Sequence, residues 1–376
     1  MFYLRNLAVN WLKHWLRIGA SILIPIFMSL GFSAVSWADV TPILLAGLPA
    51  GNAITDGRSL LNYALPINNP TIRKIQTSLE NMSLPLRNRR WGVLNGTASK
   101  VVTILRVRKP ELLASIPNTR KAQAETLLAA AEESMTGLQA AIAAQDKEKV
   151  ESVRADLLNF VGDIEALMVD KFPFEIPEEY SNLPQLAGRA TIVIVTDKGK
   201  ITLVADGYSA PITAGNFVDL VQRGFYNGLE FTRTEDYYVA QAGDPPGPEV
   251  GFIDPTTQQA RTIPLEILVK GDSEPIYNFT LEEIGRYREQ PVLPFSAYGT
   301  VGMARPEAEP DGGSSQFFFF LYEAELTPAG VNLLDGRYAA FGYVIEGKEV
   351  LGKLKAGDKI QSAKIISGGE NLIQPS

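Results

Sequence analysis

The sequence predicts a multidomain chain of α and β structure, with an α-helical bundle in its N-terminal half and an antiparallel β domain in its C-terminal half. Three observations predict this. Apolar side chains recur at helical spacing through residues 118–168. Pro173, Pro177 and Pro184 then interrupt any helix, because proline lacks the amide donor and fixes φ. After Gly188 the apolar period drops to two, in 190–195 and again in 200–204. The expected domains are a targeting segment over 1–38, a helical domain over 39–171, a proline-rich linker over 172–188 and a β domain over 189–376.

Residues 1–38 read as a signal peptide. Arg5, Lys13 and Arg17 give a basic start, an apolar run follows from Ile18 to Val35, and Ser36-Trp37-Ala38 ends in small residues at the positions a signal peptidase reads. The run is about long enough to span a bilayer, but Pro25 and the small-residue exit favour cleavage after Ala38 over a retained anchor. Cleavage removes three basic residues and no acidic one from a chain with 35 and 42, which leaves 32 against 42 and a formal charge of −10. The expected location is a periplasm or a thylakoid lumen. So acidic a chain is a poor partner for nucleic acid, since phosphate contacts need clustered Lys and Arg.

The bundle is read element by element. A small, Gly/Pro-punctuated stretch over 40–57 suits a loosely held N-terminus. Between Pro70 and Pro85, Ile72, Ile75 and Leu79 recur at helical spacing. The run 101–105 is rich in β-branched residues and fits helix or strand, with its helical neighbours favouring helix. The Ala-rich run over 118–144 is the cleanest helix, and a second amphipathic run follows from Lys147 to Met168. These stripes are expected to close their own core rather than dock a partner, and no sustained heptad predicts a coiled coil.

Composition also limits the chemistry. The chain of 376 residues has no Cys, and its single His, His14, lies in the targeting segment. A processed chain therefore has no Ser-His-Asp or Cys-His relay, no disulfide and no ordinary zinc site. Catalysis is left to carboxylates, Lys, Arg, Tyr or shape, and no cofactor is implied. Gly342–Lys348 and Gly347–Lys353 match the glycine and lysine spacing of a phosphate loop, but Glu349 and Leu354 stand where its Ser or Thr belongs, so no nucleotide is expected.

In the β domain, 190–195 and 200–204 flank a turn at Asp197-Lys198-Gly199, a helix is expected from Pro211 to Gly224, and a strand through Phe231 delivers Arg233. Six pieces then stand in order. They are Ala210-Pro211-x-Thr213 with Asn216-Phe217, Gly224-Phe225-Tyr226-Asn227-Gly228, Phe231-x-Arg233 with Gln241-x-Gly243-Asp244, Gly299-x-x-Gly302-Met303-Ala304-Arg305, Gly313-Ser314-Ser315-Gln316-Phe317-Phe318, and 334–342 as Leu-Asp-Gly-Arg-Tyr-Ala-Ala-Phe-Gly. Together they resemble the cyclophilin family over roughly 190–368. The whole layout is similar to thylakoid-lumen and cyanobacterial cyclophilin-like proteins linked to photosystem II assembly.

The resemblance implies a closed antiparallel β-barrel with a helix at each end and peptidyl-prolyl cis-trans isomerase activity. By motif position Arg233 is the implied catalytic donor. Tyr238, Val239, Phe318, Leu334 and Tyr338 would form the prolyl pocket, and Gln241, Ala304, Arg305 and Gln316 would hold the flanking backbone. Rotation about an X-Pro bond breaks no covalent bond, so it needs neither nucleophile nor metal. Departures from the family pattern are Thr232, Val239 and Tyr338, Leu333 in place of a frequent Trp, and Thr234-Glu235-Asp236, where a carboxylate can pair with Arg233.

Residues 268–294 read as an insertion with a short helix over 279–284, able to cover the groove or add a contact surface. Two functions stay open. One is an isomerase acting on proline-containing polypeptides. The other is a non-catalytic binding module serving as an assembly factor for a membrane complex such as photosystem II.

Overall fold

The computed structural model describes residues 54–255, 257–322 and 332–375. The targeting segment and its cleavage site after Ala38 lie outside the described residues. Helices come first: α1 (Gly57–Ala64), α2 (Pro70–Glu80), α3 (Ser83–Arg87), α4 (Trp91–Val107), α5 (Lys109–Ala114), α6 (Lys121–Ala143) and α7 (Lys147–Leu167). Local chemistry sets their starts. Asn69 accepts from the amides of Thr71 and Ile72 ahead of Pro70, and Asp146 accepts from the amide of Lys149, so orphan N–H groups at both helix starts are satisfied. The ambiguous run 101–105 is helical, inside α4. Ile72, Leu94, Val101, Leu128, Leu138, Val150 and Leu157 meet in one buried cluster, so the apolar stripes do close a core of their own.

The β elements are β1 (Gln185–Leu186), β2 (Arg189–Thr196), β3 (Gly199–Asp206), β4 (Phe231–Glu235), β5 (Val239–Ala242), β6 (Glu266–Ile267), β7 (Ile276–Tyr277), β8 (Thr300–Met303), β9 (Phe317–Phe320), β10 (Ala340–Glu346), β11 (Ile360–Ser367) and β12 (Leu372–Ile373). Eight of them form one curled antiparallel sheet in the order β11-β2-β3-β10-β8-β9-β5-β4. Helix α8 (Pro211–Gln222) packs into the concave side, where Phe217 contacts the rings of Tyr226, Phe317 and Phe341. The four-residue α9 (Lys348–Leu351) sets Val350 against Gly199.

The expected closed barrel is not formed: the sheet is a half-barrel. Its edge strands β4 and β11 share no ladder and meet at one isolated bridge, Glu230 opposite Lys359, flanked by Phe231 N donating to Asp358 O at 2.8 Å. The cause is local. Strand β4 shifts register between Phe231 and Arg233, and past that shift the Thr234 hydroxyl, rather than the backbone, takes the amide of Ala356. The short helix expected over 279–284 is instead a run of turns.

Helix α1 falls almost wholly between the two stretches read from the sequence, 40–57 and 70–85. Its Leu60, Leu61 and Ala64 pack on the outer face of the sheet with Phe295, Phe318, Phe320 and Tyr343. Gly57 permits this approach, since a Cβ there would lie 2.8 Å from Tyr343 Cβ. Arg189 ties both parts, pairing with Asp206 and donating to the Leu61 carbonyl.

Candidate active site

The site grows from the pairing register of four strands. Arg233 on β4 stands opposite Gln241 on β5, Gln241 opposite Phe318 on β9, and Phe318 opposite Gly302 on β8. Directly opposed residues share a face of the sheet, so the four positions form a row across it. Alternation sorts the four consecutive phenylalanines of β9: Phe317 and Phe319 join the inner core, while Phe318 and Phe320 join the outer cluster.

Phe318 is held in place by rings on two sides. It stacks on Phe295 with centroids 5.8 Å apart and planes 10° apart, and meets Tyr338 edge-on at 5.7 Å. Gly302 leaves the room for this, because a Cβ there would lie 2.5 Å from Phe318 Cζ and 2.9 Å from Phe295 Cζ.

A pocket of about 180 Å³ opens over this row, and nine of the ten residues singled out from the sequence line it. Arg233, Tyr238, Val239 and Gln241 come from the β4–β5 hairpin. Ala304 and Arg305 follow β8, Phe318 lies on β9, and Leu334 and Tyr338 come from the loop before β10. Gln316 is the exception. It lines an adjoining pocket of about 490 Å³, which shares Gln241, Ala304 and Arg305 with the first.

The amides between the two pockets have a fixed orientation. Asp244, an acceptor when ionised, takes Gln316 Nε2 at 2.9 Å, which leaves Gln316 Oε1 to accept Gln241 Nε2 at 2.7 Å. Gln241 Oε1 is then the atom left to accept from a peptide N–H. Arg305 serves as wall rather than as a mobile donor. Its guanidinium donates to the carbonyls of Arg337, Pro306 and Glu307 and lies over the Tyr338 ring at 5.3 Å. Burial, followed by the neighbouring Tyr338, raises the Tyr238 phenol above its ordinary value.

Arg233 faces the pocket but is not idle. Its Nε donates to Glu235 Oε1 at 2.7 Å, and both side chains are about half exposed, at 53% and 48%. The carboxylate that the sequence placed beside the arginine therefore does pair with it.

The insertion contributes no lining residue to the 180 Å³ pocket. It braces the loop behind it: Leu281 N donates to Gly336 O at 2.9 Å, and Glu282 pairs with Arg337 at 2.6 Å.

The family model described as "Cyclophilin type peptidyl-prolyl cis-trans isomerase/CLD" matches residues 191–368. A thylakoid-lumen peptidyl-prolyl cis-trans isomerase named in Synechocystis sp. is 56% identical over 88% of each chain. The chain belongs to the cyclophilin-type peptidyl-prolyl cis-trans isomerases.

Another relative of this cyclophilin is the chloroplastic peptidyl-prolyl cis-trans isomerase CYP38 of Arabidopsis thaliana, 42% identical over 96% of this chain and 85% of that one. A second model, described as "Peptidyl-prolyl cis-trans isomerase CYP38-like, PsbQ-like domain", matches residues 56–169. Among solved structures, a Cryptosporidium parvum cyclophilin in the presence of the dipeptide Ala-Pro aligns at TM-score 0.35 and 22% identity, over 47% of this chain and 99% of that one.

Sequence reasoning missed two supports of this cyclophilin's pocket, Phe295 and Asp335. Phe295 directly follows the segment 268–294 read as an insertion, and nothing in its spacing marks it. Asp335 lies inside a quoted motif but was read only as part of the pattern. Leu333, beside it, is 82% exposed and stands outside the pocket.

Proposed function

We propose that this chain turns X-Pro peptide bonds in polypeptides of an exported compartment, with Arg233 as the donor that eases the rotation. The observation that carries the reading is the row Arg233, Gln241, Phe318, Gly302, which sets a guanidinium, an amide and an aromatic floor side by side. The barrier to rotation is about 18–20 kcal/mol because the amide is conjugated. As the bond twists, conjugation is lost and the prolyl nitrogen regains a lone pair.

A guanidinium aimed at that nitrogen binds the twisted state more strongly than either planar one, and such differential binding lowers the barrier. Phe318, Leu334, Val239, Tyr238 and Tyr338 would hold the prolyl ring as the carbonyl side turns. Gln241 Oε1, Gln316, Ala304 and Arg305 would align the flanking backbone. Thylakoid-lumen and chloroplast relatives support a lumenal site of action after removal of residues 1–38. The end of α7 at Leu167 and the start of β2 at Arg189 support a linker over 172–188 between a helical domain and a cyclophilin domain.

A protease-coupled prolyl-peptide assay tests the reading. Arg233→Ala should lower kcat/KM about tenfold or more, below the largest losses known for buried donors because Arg233 is half exposed. Equal background rates for wild type and variant would remove the isomerase reading.

The Arg233–Glu235 pair favours a second reading, in which the pocket holds prolyl segments without turning them and the chain serves as an assembly factor. The match of residues 56–169 to a CYP38-like, PsbQ-like domain supports a separate role for the helical half, and the resemblance to thylakoid-lumen cyclophilin-like proteins linked to photosystem II assembly makes photosystem II the complex that this reading names. Affinity capture from solubilised thylakoid membranes tests it, and recovery of no photosystem II subunit counts against it.

A further inference from the structure

We propose that Asp335 is a positioning residue of the prolyl pocket, clamping the loop that carries Leu334 and Tyr338 to the segment that carries Phe295; the proposal rests on the isomerase reading of that pocket. Asp335 is not among the residues that line the 180 Å³ pocket, so it acts on that pocket through the groups that it holds. One carboxylate oxygen accepts Phe295 N at 2.7 Å and the other accepts Asn332 N at 3.2 Å. The loop's other ties run within itself, where Leu334 N donates to Asn332 Oδ1 and the amides of Arg337 and Tyr338 both donate to Leu334 O, and to the insertion and Arg305 at Gly336 and Arg337; these do not reach the Phe295 segment.

The bond to Phe295 N therefore links the wall of the pocket to its floor, since Phe295 stacks on Phe318 and Tyr338 meets Phe318 from the other side. Break it, and Leu334 and Tyr338 lose their registration against Phe318. Misplacement on the scale of an ångström is enough to cost a reaction one to two orders of magnitude.

The clamp needs a carboxylate. Both of its partners are N–H donors, and a protonated carboxyl must donate from one oxygen, which leaves that oxygen facing a donor. Burial raises the Asp335 carboxyl to about 6, against the two amides and Lys270, which pull it down. Among the described residues, the ionisable groups that Asp335 shifts are Lys270 and the Tyr343 phenol, which donates to Pro294 O at 2.8 Å. Lys270 comes from the insertion, where its Nζ also donates to Gln290 Oε1 at 2.8 Å. The insertion thus holds a cation near the clamp as well as bracing Gly336 and Arg337.

The experiment compares full-length wild type, Asp335→Asn, Lys270→Met and Arg233→Ala in prolyl-peptide kinetics and in amide NMR over about pH 5 to 8. Asp335→Asn keeps the shape but turns an NH₂ toward one of the two N–H donors. It should lose about tenfold to a hundredfold in kcat/KM near neutral pH. Wild-type kcat/KM should fall as pH drops through about 6, and the amide signals of Phe295, Leu334, Tyr338 and Phe318 should titrate together. Both effects should vanish in Asp335→Asn, and the inflection should move up in Lys270→Met. A purely structural role lowers Tm without giving this shared titration.

Wild-type kinetics in Asp335→Asn, or pocket amides that titrate without Asp335, overturns the proposal. Equal background rates in wild type and Arg233→Ala overturn the isomerase reading instead, and the NMR titration still decides whether Asp335 sets the pocket.

Discussion

Removing the carboxylate that pairs with Arg233 should make the protein a faster isomerase. In the resting pocket Glu235 Oε1 takes Arg233 Nε at 2.7 Å and Nη2 at 2.5 Å. To donate toward a prolyl nitrogen, the guanidinium must loosen this pair. Both side chains are about half exposed, so water and salt screen their attraction. Exposed pairs of this kind contribute about 0.2–1 kcal/mol. If all of that opposes the reactive geometry, Glu235→Gln raises kcat/KM by a factor between about 1.4 and 5.

The same argument fixes a salt signature. At high ionic strength the Debye length shrinks to a few ångströms and the pair weakens by itself. Wild type should then approach Glu235→Gln in a protease-coupled assay, while the variant changes little. The opposite outcome has a clear meaning. If Glu235→Gln is slower than wild type at low salt, the carboxylate aims the guanidinium rather than competing for it, and the reasoning fails.

Two further perturbations test the floor of the pocket and the interior of the helical half. Gly302→Ala places a Cβ 2.5 Å from Phe318 Cζ, so the rings must shift; a loss of about 1–3 kcal/mol in thermal unfolding and weaker prolyl-peptide binding are expected, and unchanged values of both would show that the rings yield freely. Glu165 is buried beside Arg73 at 3.1 Å, and burial outweighs that cation, raising its carboxyl to about 7. A raised folded pKa stabilises the fold fully below the unfolded value near 4.5, and that contribution is lost as pH rises through about 7. Denaturant melts should therefore show wild type losing about 2–3 kcal/mol more than Glu165→Gln between about pH 5 and 8. Glu266 contributes in the same direction, so only the difference between the two proteins is diagnostic. Parallel pH profiles would refute the assignment.

The sequence carried more of the site than of the architecture around it. Arg233, Gln241 and Phe318 were legible because motif order points to them, and the register then brings them into one row. The helices were legible wherever a stripe ran for several turns, as in α6 and α7. Helix α1 was not, because eight residues make little more than two turns, and its apolar face has meaning only once the outer face of the sheet exists. The open edge of the half-barrel was also beyond reach, since the register shift in β4 depends on how Phe231 and Arg233 pair with Ala242 and Gln241.

That outer face explains why four consecutive phenylalanines are tolerated in one strand. An antiparallel sheet with one solvated face alternates apolar and polar residues. Here the inner face of β9 meets α8, while Phe318 and Phe320 on the outer face share a buried cluster with Leu60, Leu61 and Phe295. The row that begins at the exposed Arg233 therefore becomes progressively more buried as it passes Gln241 to Phe318 and Gly302. A gradient of that kind suits a bond that must be gripped at its ring and solvated at its turning end. Burial at Phe318 keeps the floor rigid, whereas exposure at Arg233 lets the guanidinium exchange Glu235 for a substrate nitrogen at a cost no larger than that of a surface ion pair.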